Sequence, residues 1–402
     1  MLSLRTASTY AALAVTAALG GALAVGAVAL LGGFDDDPTV VTETAAAPRT
    51  ESRPQAGGAL SINEIYRRAA PGVVQITSIS DPSPTVDPRQ IDPFADPLPQ
   101  APSAPALGSG FVIDKAGHIV TNYHVVQGGA DIRVSFSNRD TVAAEVVGVD
   151  PSTDLAVLEV DASSDALTPL ALGDSDDVAV GDQVVAIGNP FGLDRTATAG
   201  IVSALQRLIT APNSFAIDHV IQTDAPINKG NSGGPLLNDR AEVIGVNAQI
   251  ETGNISTGNV GIGFAVPSNT VKDVVAQILR TGRVEHAWLG IIGQPVTEEL
   301  AAAFNLPVEE GVLVESVLPG SGAAAAKLEP GETEVVVAGE TYVLGGDIIV
   351  SINGEKISAV EEIRDVIAAH KPGQKMKLGI FRDQEKSTVT VTLGRQPSSA
   401  QG

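Results

Sequence analysis

Gly230-Asn231-Ser232-Gly233-Gly234-Pro235 lies between two short apolar runs, 219–222 and 235–237. A serine hydroxyl is a weak nucleophile. It needs a neighbouring base, and donors for the oxyanion that its attack creates. Glycines on both sides let the backbone turn tightly and point successive N–H groups into one concavity. Taken alone, the stretch reads equally well as a plain glycine-rich turn, so its surroundings must decide.

Working outward, short β-branched runs separated by Gly, Asp, Asn and Pro occupy 110–113, 118–121, 131–136, 142–149, 155–160, 183–188, 197–204, 219–222, 235–237, 242–250 and 261–266. Many short strands with turn signals argue for an all-β barrel or sandwich and against βαβ units. His124 stands in Thr121-Asn122-Tyr123-His124-Val125-Val126, just after one such run, and Asp154 in Asp150-Pro151-Ser152-Thr153-Asp154-Leu155. Singly, each has a structural reading, as a strand-end histidine and a turn aspartate. Together, the order His…Asp…Ser on an all-β background is the chymotrypsin-type order, distinct from those of subtilisins and α/β-hydrolases. In that reading Ser232 attacks a carbonyl and His124 takes and returns the proton. Asp154 fixes the imidazole tautomer and stabilises the imidazolium.

The ends of the chain read differently. Arg5 precedes an uncharged run, Thr6 to Phe34, rich in Ala, Leu, Val and Gly. At about 1.5 Å per residue it exceeds a hydrocarbon core of ~30 Å, so a membrane helix is expected. The basic residue ahead of it favours a cytoplasmic N-terminus with the body exported. The alternative is a signal peptide cleaved near Ala22-Leu23-Ala24, giving a secreted or periplasmic protein; the apolar run continues past that point to Leu31. The reading is therefore 1–34 anchor or signal, 35–60 flexible linker, 61–282 first folded domain with a Pro-rich insertion at 81–106, 283–396 second domain and 397–402 tail. Ser61 with Glu64 predicts a capped helix, and Ser268 is read as the cap of another, closed by Gly282. The second domain reads as a small α/β piece, with strands at 289–292, 311–317, 347–353 and 387–393. Its helix is expected from Ser358 to His370, with a Ser358…Glu361 capping box.

Composition excludes several functions. The 402 residues carry 25 Lys+Arg against 47 Asp+Glu, net −22, with no basic tract, so nucleic acid is not an expected partner. The chain contains no cysteine and only 5 histidines without an HExxH motif, so neither thiolate chemistry nor a histidine-rich metal centre is expected. No cofactor or metal is needed for the chemistry read above. The acidic runs Asp35–Asp37 and Asp174…Asp177 lack a calcium-loop pattern and read as solvated surface.

At this point the chain resembles the HtrA (Deg) serine proteases, trypsin-fold enzymes with C-terminal PDZ domains. The matching blocks include Gly108-Ser109-Gly110-Phe111, Thr121–Val126, Thr153–Val157, Gly188-Asn189-Pro190-Phe191-Gly192, Gln222-Thr223-Asp224-Ala225, Gly230–Pro235 and Gly263–Pro267. The resemblance implies two six-stranded β-barrels with the triad between them, and an oxyanion hole at Gly230, Asn231 and Ser232. It also implies an S1 pocket involving Pro226, Asn247 and Ala248, where Pro226 in place of a carboxylate favours small or medium aliphatic side chains. Lys229 and Pro226 depart from residues common in the family. Asn231 replaces the acid that in digestive relatives pairs with a new N-terminus, so ordering is expected from loops 204–219, 225–231 and 248–260 instead.

In the second domain, His286-Ala287-Trp288-Leu289-Gly290-Ile291 resembles the carboxylate-binding loop of PDZ modules. The N–H groups of Leu289, Gly290 and Ile291 would capture a peptide C-terminus that adds as a strand beside 290–294, with the helix across the groove. The segment 329–344 departs from short PDZ forms and reads as an inserted hairpin. By the same resemblance the substrates are unfolded or exposed polypeptides, in envelope protein quality control, and the assembly is a homotrimer. Two rivals remain open: a holdase-type chaperone, and a PDZ-bearing scaffold with little proteolysis.

Overall fold

The structure, a computed structural model, describes residues 59–80, 105–138, 140–163, 165–189, 195–228, 230–248 and 261–399. The expected membrane segment 6–34, the linker up to 58, the Pro-rich stretch 81–104, Lys229 and the stretch 249–260 lie outside the described residues. Among the described residues no helix is long and apolar enough to cross a membrane.

Helix α1, Ile62–Ala69, opens the domain with the expected box, the Ser61 side chain and the Glu64 carboxylate each serving the other's backbone N–H. Strands β1 (Val73–Ser80), β2 (Ala106–Val112), β3 (His118–Asn122), β4 (Gly129–Ser135), β5 (Thr141–Asp150) and β6 (Leu155–Val160) follow. They close into a barrel in the order β1-β2-β3-β6-β5-β4. Between β3 and β4 lies a single helical turn, α2 (Tyr123–Val126). The second barrel is built from β7 (Gln183–Gly188), β8 (Thr196–Thr210), β9 (Ala216–Thr223), β10 (Pro235–Leu237), β11 (Val243–Ala248) and β12 (Gly263–Pro267), in the order β10-β11-β12-β9-β8-β7.

Several strands are apolar on both faces because each face has a core to enter. Val74, Ile76, Val112, Ile119, Ala156 and Leu158 fill the first barrel. Their neighbours Val73, Phe111, Val120, Leu155 and Val157 point the other way, against Val185, Ile187, Leu237, Val246 and Val266 of the second barrel. With a side-chain period of two, one strand thus feeds both its own barrel and the seam between barrels. Burying a Val, Leu, Ile or Phe side chain contributes about 1.5–3 kcal/mol, so this seam holds the barrels together.

Helix α3, Ser268–Thr281, lays Val271, Val274, Val275 and Ile278 on the same seam and stops at Gly282, which adopts φ 74°. The expected cap at Ser268 is corrected. Pro267 occupies the cap position, while Ser268 is the first helical residue and its buried hydroxyl donates to the Gly173 carbonyl at 2.8 Å. Buried acceptors compete for a serine hydroxyl, and here a distant loop carbonyl wins over the local helix terminus.

The second domain contains β13 (Ala287–Trp288), β14 (Ile291–Pro295), α4 (Glu298–Phe304), β15 (Val312–Val317), α5 (Gly322–Ala325), β16 (Thr333–Val337), β17 (Glu340–Leu344), β18 (Ile348–Ile352), β19 (Glu355–Lys356), α6 (Val360–Ala368), β20 (Lys375–Arg382), β21 (Glu385–Thr392) and β22 (Gly394–Arg395). Its main sheet runs β14-β15-β18-β20-β21, antiparallel throughout, with β14 at one edge. β16 and β17 form the hairpin expected within 329–344. Two corrections apply. The helix begins at Val360 and its first turn is served by Glu362, whose carboxylate accepts the N–H groups of Ser358 and Ala359; Glu361 does not take that part. The segment 204–219, expected as an adjustable loop, is largely the paired hairpin of β8 and β9. The sequence reading also passes over β20, whose Lys-Met-Lys-Leu alternation buries Met376, Leu378 and Ile380 only because β18 and β21 flank it.

Candidate active site

His124 follows the end of β3 in the first turn of α2, and Asp154 precedes β6. The two strands pair Asn122 with Leu155, so both residues emerge at one end of the barrel. Asp154 adopts φ 55°, left-handed backbone that an aspartate tolerates better than most residues. Its carbonyl accepts the Tyr123 N–H at 3.0 Å and the Asn122 amide at 2.9 Å. Its carboxylate accepts the His124 N–H at 2.9 Å through Oδ1 and faces Nδ1 of the same residue at 2.7 Å through Oδ2. The carboxylate side chain is 8% exposed and the imidazole 34%. A carboxylate on Nδ1 selects the Nδ1–H tautomer and leaves Nε2 as the acceptor, the form a general base requires.

The loop bearing Ser232 is fastened across the seam. The Ser232 carbonyl accepts the Ser109 N–H at 2.8 Å. The Gly233 N–H donates to Asn247 O at 2.8 Å, and the Asn247 N–H donates to Gly234 O at 2.9 Å. Gly233 has φ 82°, and a Cβ there would stand 2.2 Å from Ser109 O and 2.4 Å from Thr121 Oγ1, so only glycine fits. Ser109 itself is fully buried. Its hydroxyl donates to Gly230 O and accepts the Asn189 N–H at 2.8 Å, while its carbonyl accepts the Thr121 hydroxyl at 2.7 Å. Because Thr121 lies in β3 just before His124, these bonds bring Ser232 to the imidazole's side of the seam.

The Ser232 hydroxyl is buried and has no hydrogen-bond partner among the described residues. The aspartate–histidine half of the constellation is therefore assembled, whereas the histidine–serine bond is open. In unliganded sites that bond commonly tightens only with substrate.

The remaining expected residues fall close by. Asn231 is buried and its amide donates to Pro226 O at 3.3 Å, which ties the Ser232 loop to the expected S1 floor without a carboxylate. Pro226 is exposed, and its carbonyl also accepts the Thr198 hydroxyl at 2.9 Å. Asn247 is fully buried beneath the loop, with its amide on Pro235 O at 3.0 Å, and Ala248 beside it is buried as well. The sequence reading gave no part to Ser109, Thr121 or Asn122. The signal was there: polar side chains inside apolar strands demand buried partners.

In the second domain Leu289 is buried, and Gly290 has φ 79° with Ser321 Cβ 2.1 Å from where its own Cβ would stand. The Leu289 and Gly290 carbonyls accept the Ala323 and Leu318 N–H groups, both at 2.9 Å, which fixes the loop ahead of edge strand β14. Ile291 opens that strand opposite Val317, and α6 packs against β13 and β14.

Known proteins match both parts. A trypsin-like peptidase domain model matches residues 108–246, and a PDZ domain model matches 263–393. The periplasmic pH-dependent serine endoprotease DegQ of Escherichia coli (strain K12) is 41% identical over 310 residues, 76% of this chain and 64% of that protein. Protease Do-like 1, chloroplastic, of Arabidopsis thaliana is 37% identical over 370 residues, 91% of this chain and 79% of that protein. The solved structure of the HtrA-type protease AlgW with decapeptide shares 34% identity at a TM-score of 0.67, covering 84% of this chain and 99% of that one. The chain spans 64%, 62% and 61% of the first curated relatives it matches, just under two thirds of each. On the identity and coverage of these relatives, and on the shared fold, the chain belongs to the HtrA family of serine proteases, with DegP, DegQ and AlgW.

Proposed function

We propose that the protein is an exported serine endopeptidase that cleaves unfolded or exposed polypeptides, using His124, Asp154 and Ser232. Ser232 Oγ attacks the scissile carbonyl while His124 Nε2 accepts its proton, and the imidazolium then protonates the leaving amine. Water repeats the sequence on the acyl-enzyme, and Asp154 stays ionised throughout. The N–H groups of Gly230 and Ser232, on either side of Asn231, receive the developing oxyanion; loss of one such donor typically costs about 10²–10³ in turnover. The observation that carries this reading is the double grip of Asp154 on His124, through the backbone N–H and Nδ1, at the seam where the Ser232 loop is tied.

Pro226, with Asn247 and Ala248 behind the loop, makes an S1 subsite without a fixed charge, suited to small or medium aliphatic side chains. Peptide C-termini bind at Leu289, Gly290 and Ile291 and extend the sheet at the open edge of β14, opposite α6. Export is supported by the apolar run Thr6 to Phe34 and by relatives named periplasmic. We read that run as an anchor holding the catalytic body outside the cell membrane.

A fluorophosphonate probe tests the centre of this proposal. Native protein is expected to label and Ser232→Ala is not; labelling that persists in Ser232→Ala refutes the nucleophile. A folded native protein that never labels, even with unfolded substrate present, supports the chaperone or scaffold reading instead. Mapping cleavage sites on an unfolded protein tests the aliphatic subsite.

A further inference from the structure

The turn that carries Asp154 is held from outside its own barrel. Asp150 ends β5 and starts the turn, and its carboxylate is almost fully buried at 2% exposure. It accepts the Thr153 hydroxyl at 2.7 Å and the Ser152 N–H at 3.2 Å, so the turn folds back onto it. The other donor comes from the second domain: His286 Nε2 lies 2.9 Å from both carboxylate oxygens. Beside this pair, the Ser152 hydroxyl donates to Gln396 Oε1 at 3.1 Å and accepts the Asn213 amide at 2.9 Å. The Gln396 N–H donates to the His286 carbonyl at 3.0 Å.

His286 and Gln396 bracket the PDZ domain. One stands just before β13 and the other just after β22, and these two strands pair Ala287 with Arg395. Entry and exit of the domain are thereby clamped side by side onto Asp150 and Ser152. A buried carboxylate needs every donor it can find, since desolvation penalises its charged form. Left-handed backbone at a non-glycine residue, such as Asp154, persists only where the surroundings over-determine it. Residues 122–124 restrain one end of this turn and the Asp150 cluster restrains the other.

We propose that Asp150 and His286 are positioning residues for the triad carboxylate. The base of the PDZ domain completes the support of the turn, so that Asp154 meets His124 in register only while His286 is seated on Asp150. The proposal rests on the reading of Asp154 as the residue that orients His124. It assigns the second domain a part in assembling the catalytic geometry through its stem, separate from the peptide groove on Leu289 to Ile291.

The test compares the full chain with His286→Ala, His286→Gln and Gln396→Ala. Rates are measured on a quenched peptide and normalised to sites titrated with the fluorophosphonate, so that any unfolded fraction drops out. With His286→Ala, kcat per titrated site is expected to fall about ten- to a hundredfold with little change in KM, the scale of a small misplacement at a catalytic group. His286→Gln, whose amide can donate from near the Nε2 position, should restore most of the rate; Gln396→Ala should show a smaller fall in the same direction. An unchanged kcat per titrated site in His286→Ala overturns the proposal. So does a fall that His286→Gln does not rescue. Native protein that takes no label at Ser232 defeats the underlying reading, and this proposal with it.

Discussion

Ser109→Ala is the most informative single change at the seam. The side chain is fully buried and its hydroxyl serves two backbone groups, donating to Gly230 O and accepting the Asn189 N–H. Alanine is nearly isosteric, so no cavity opens and the effect isolates the hydrogen bonds. Each orphaned buried group costs about 1–3 kcal/mol, so a loss of roughly 2–4 kcal/mol is expected after partial relaxation. The same change frees the Gly230–Asn231 peptide, which lies between the proposed oxyanion donors. Turnover should therefore fall as well, up to the ~10²–10³ typical of losing one donor. The single tryptophan, Trp288, lies in the second domain, so urea unfolding of the barrels is best followed by circular dichroism. Steady-state rates on a quenched peptide, per titrated site, give the second readout. Stability within about 0.5 kcal/mol of native, together with native kcat, would refute the argument that this hydroxyl ties the Ser232 loop to the first barrel.

Two further outcomes are expected. Gly233→Ala drives a methyl into Ser109 O and Thr121 Oγ1 at positive φ, so any soluble variant should have lost fluorophosphonate labelling; labelling at the native rate would contradict the packing. The Ser358 N–H, and after it that of Ala359, holds the Glu362 carboxyl below its ordinary range. Its contribution to stability is present above the ordinary glutamate range and fades as pH falls through the depressed value. Glu362→Ala should thus lower the melting temperature of the second domain at neutral pH, and the difference should shrink as pH is lowered below the ordinary glutamate range, as followed by Trp288 fluorescence.

Much of the architecture could be read locally. Strands such as β6 and β7 have a two-residue side-chain period and apolar neighbours on both faces, and their bounds match the sequence reading residue for residue. The Ser61–Glu64 box and the glycine stop at Gly282 are likewise local chemistry. What failed locally were choices between partners. Ser268 looks like a cap until the Gly173 carbonyl appears beside it, and β20 looks unremarkable until two strands flank it.

The same division runs through the site. Sequence alone nominated His124, Asp154 and Ser232 as the candidates for the proposed chemistry, because residue type and chain order already limit what a hydroxyl, an imidazole and a carboxylate can do. Only tertiary structure decided what steadies them. Ser109, Asn247, Asp150 and His286 act through bonds to residues far away in the chain, from other strands or from the other domain. Local sequence preference encodes a side chain's neighbours along the chain, whereas burial and hydrogen-bond demand are met by whichever group the fold brings near.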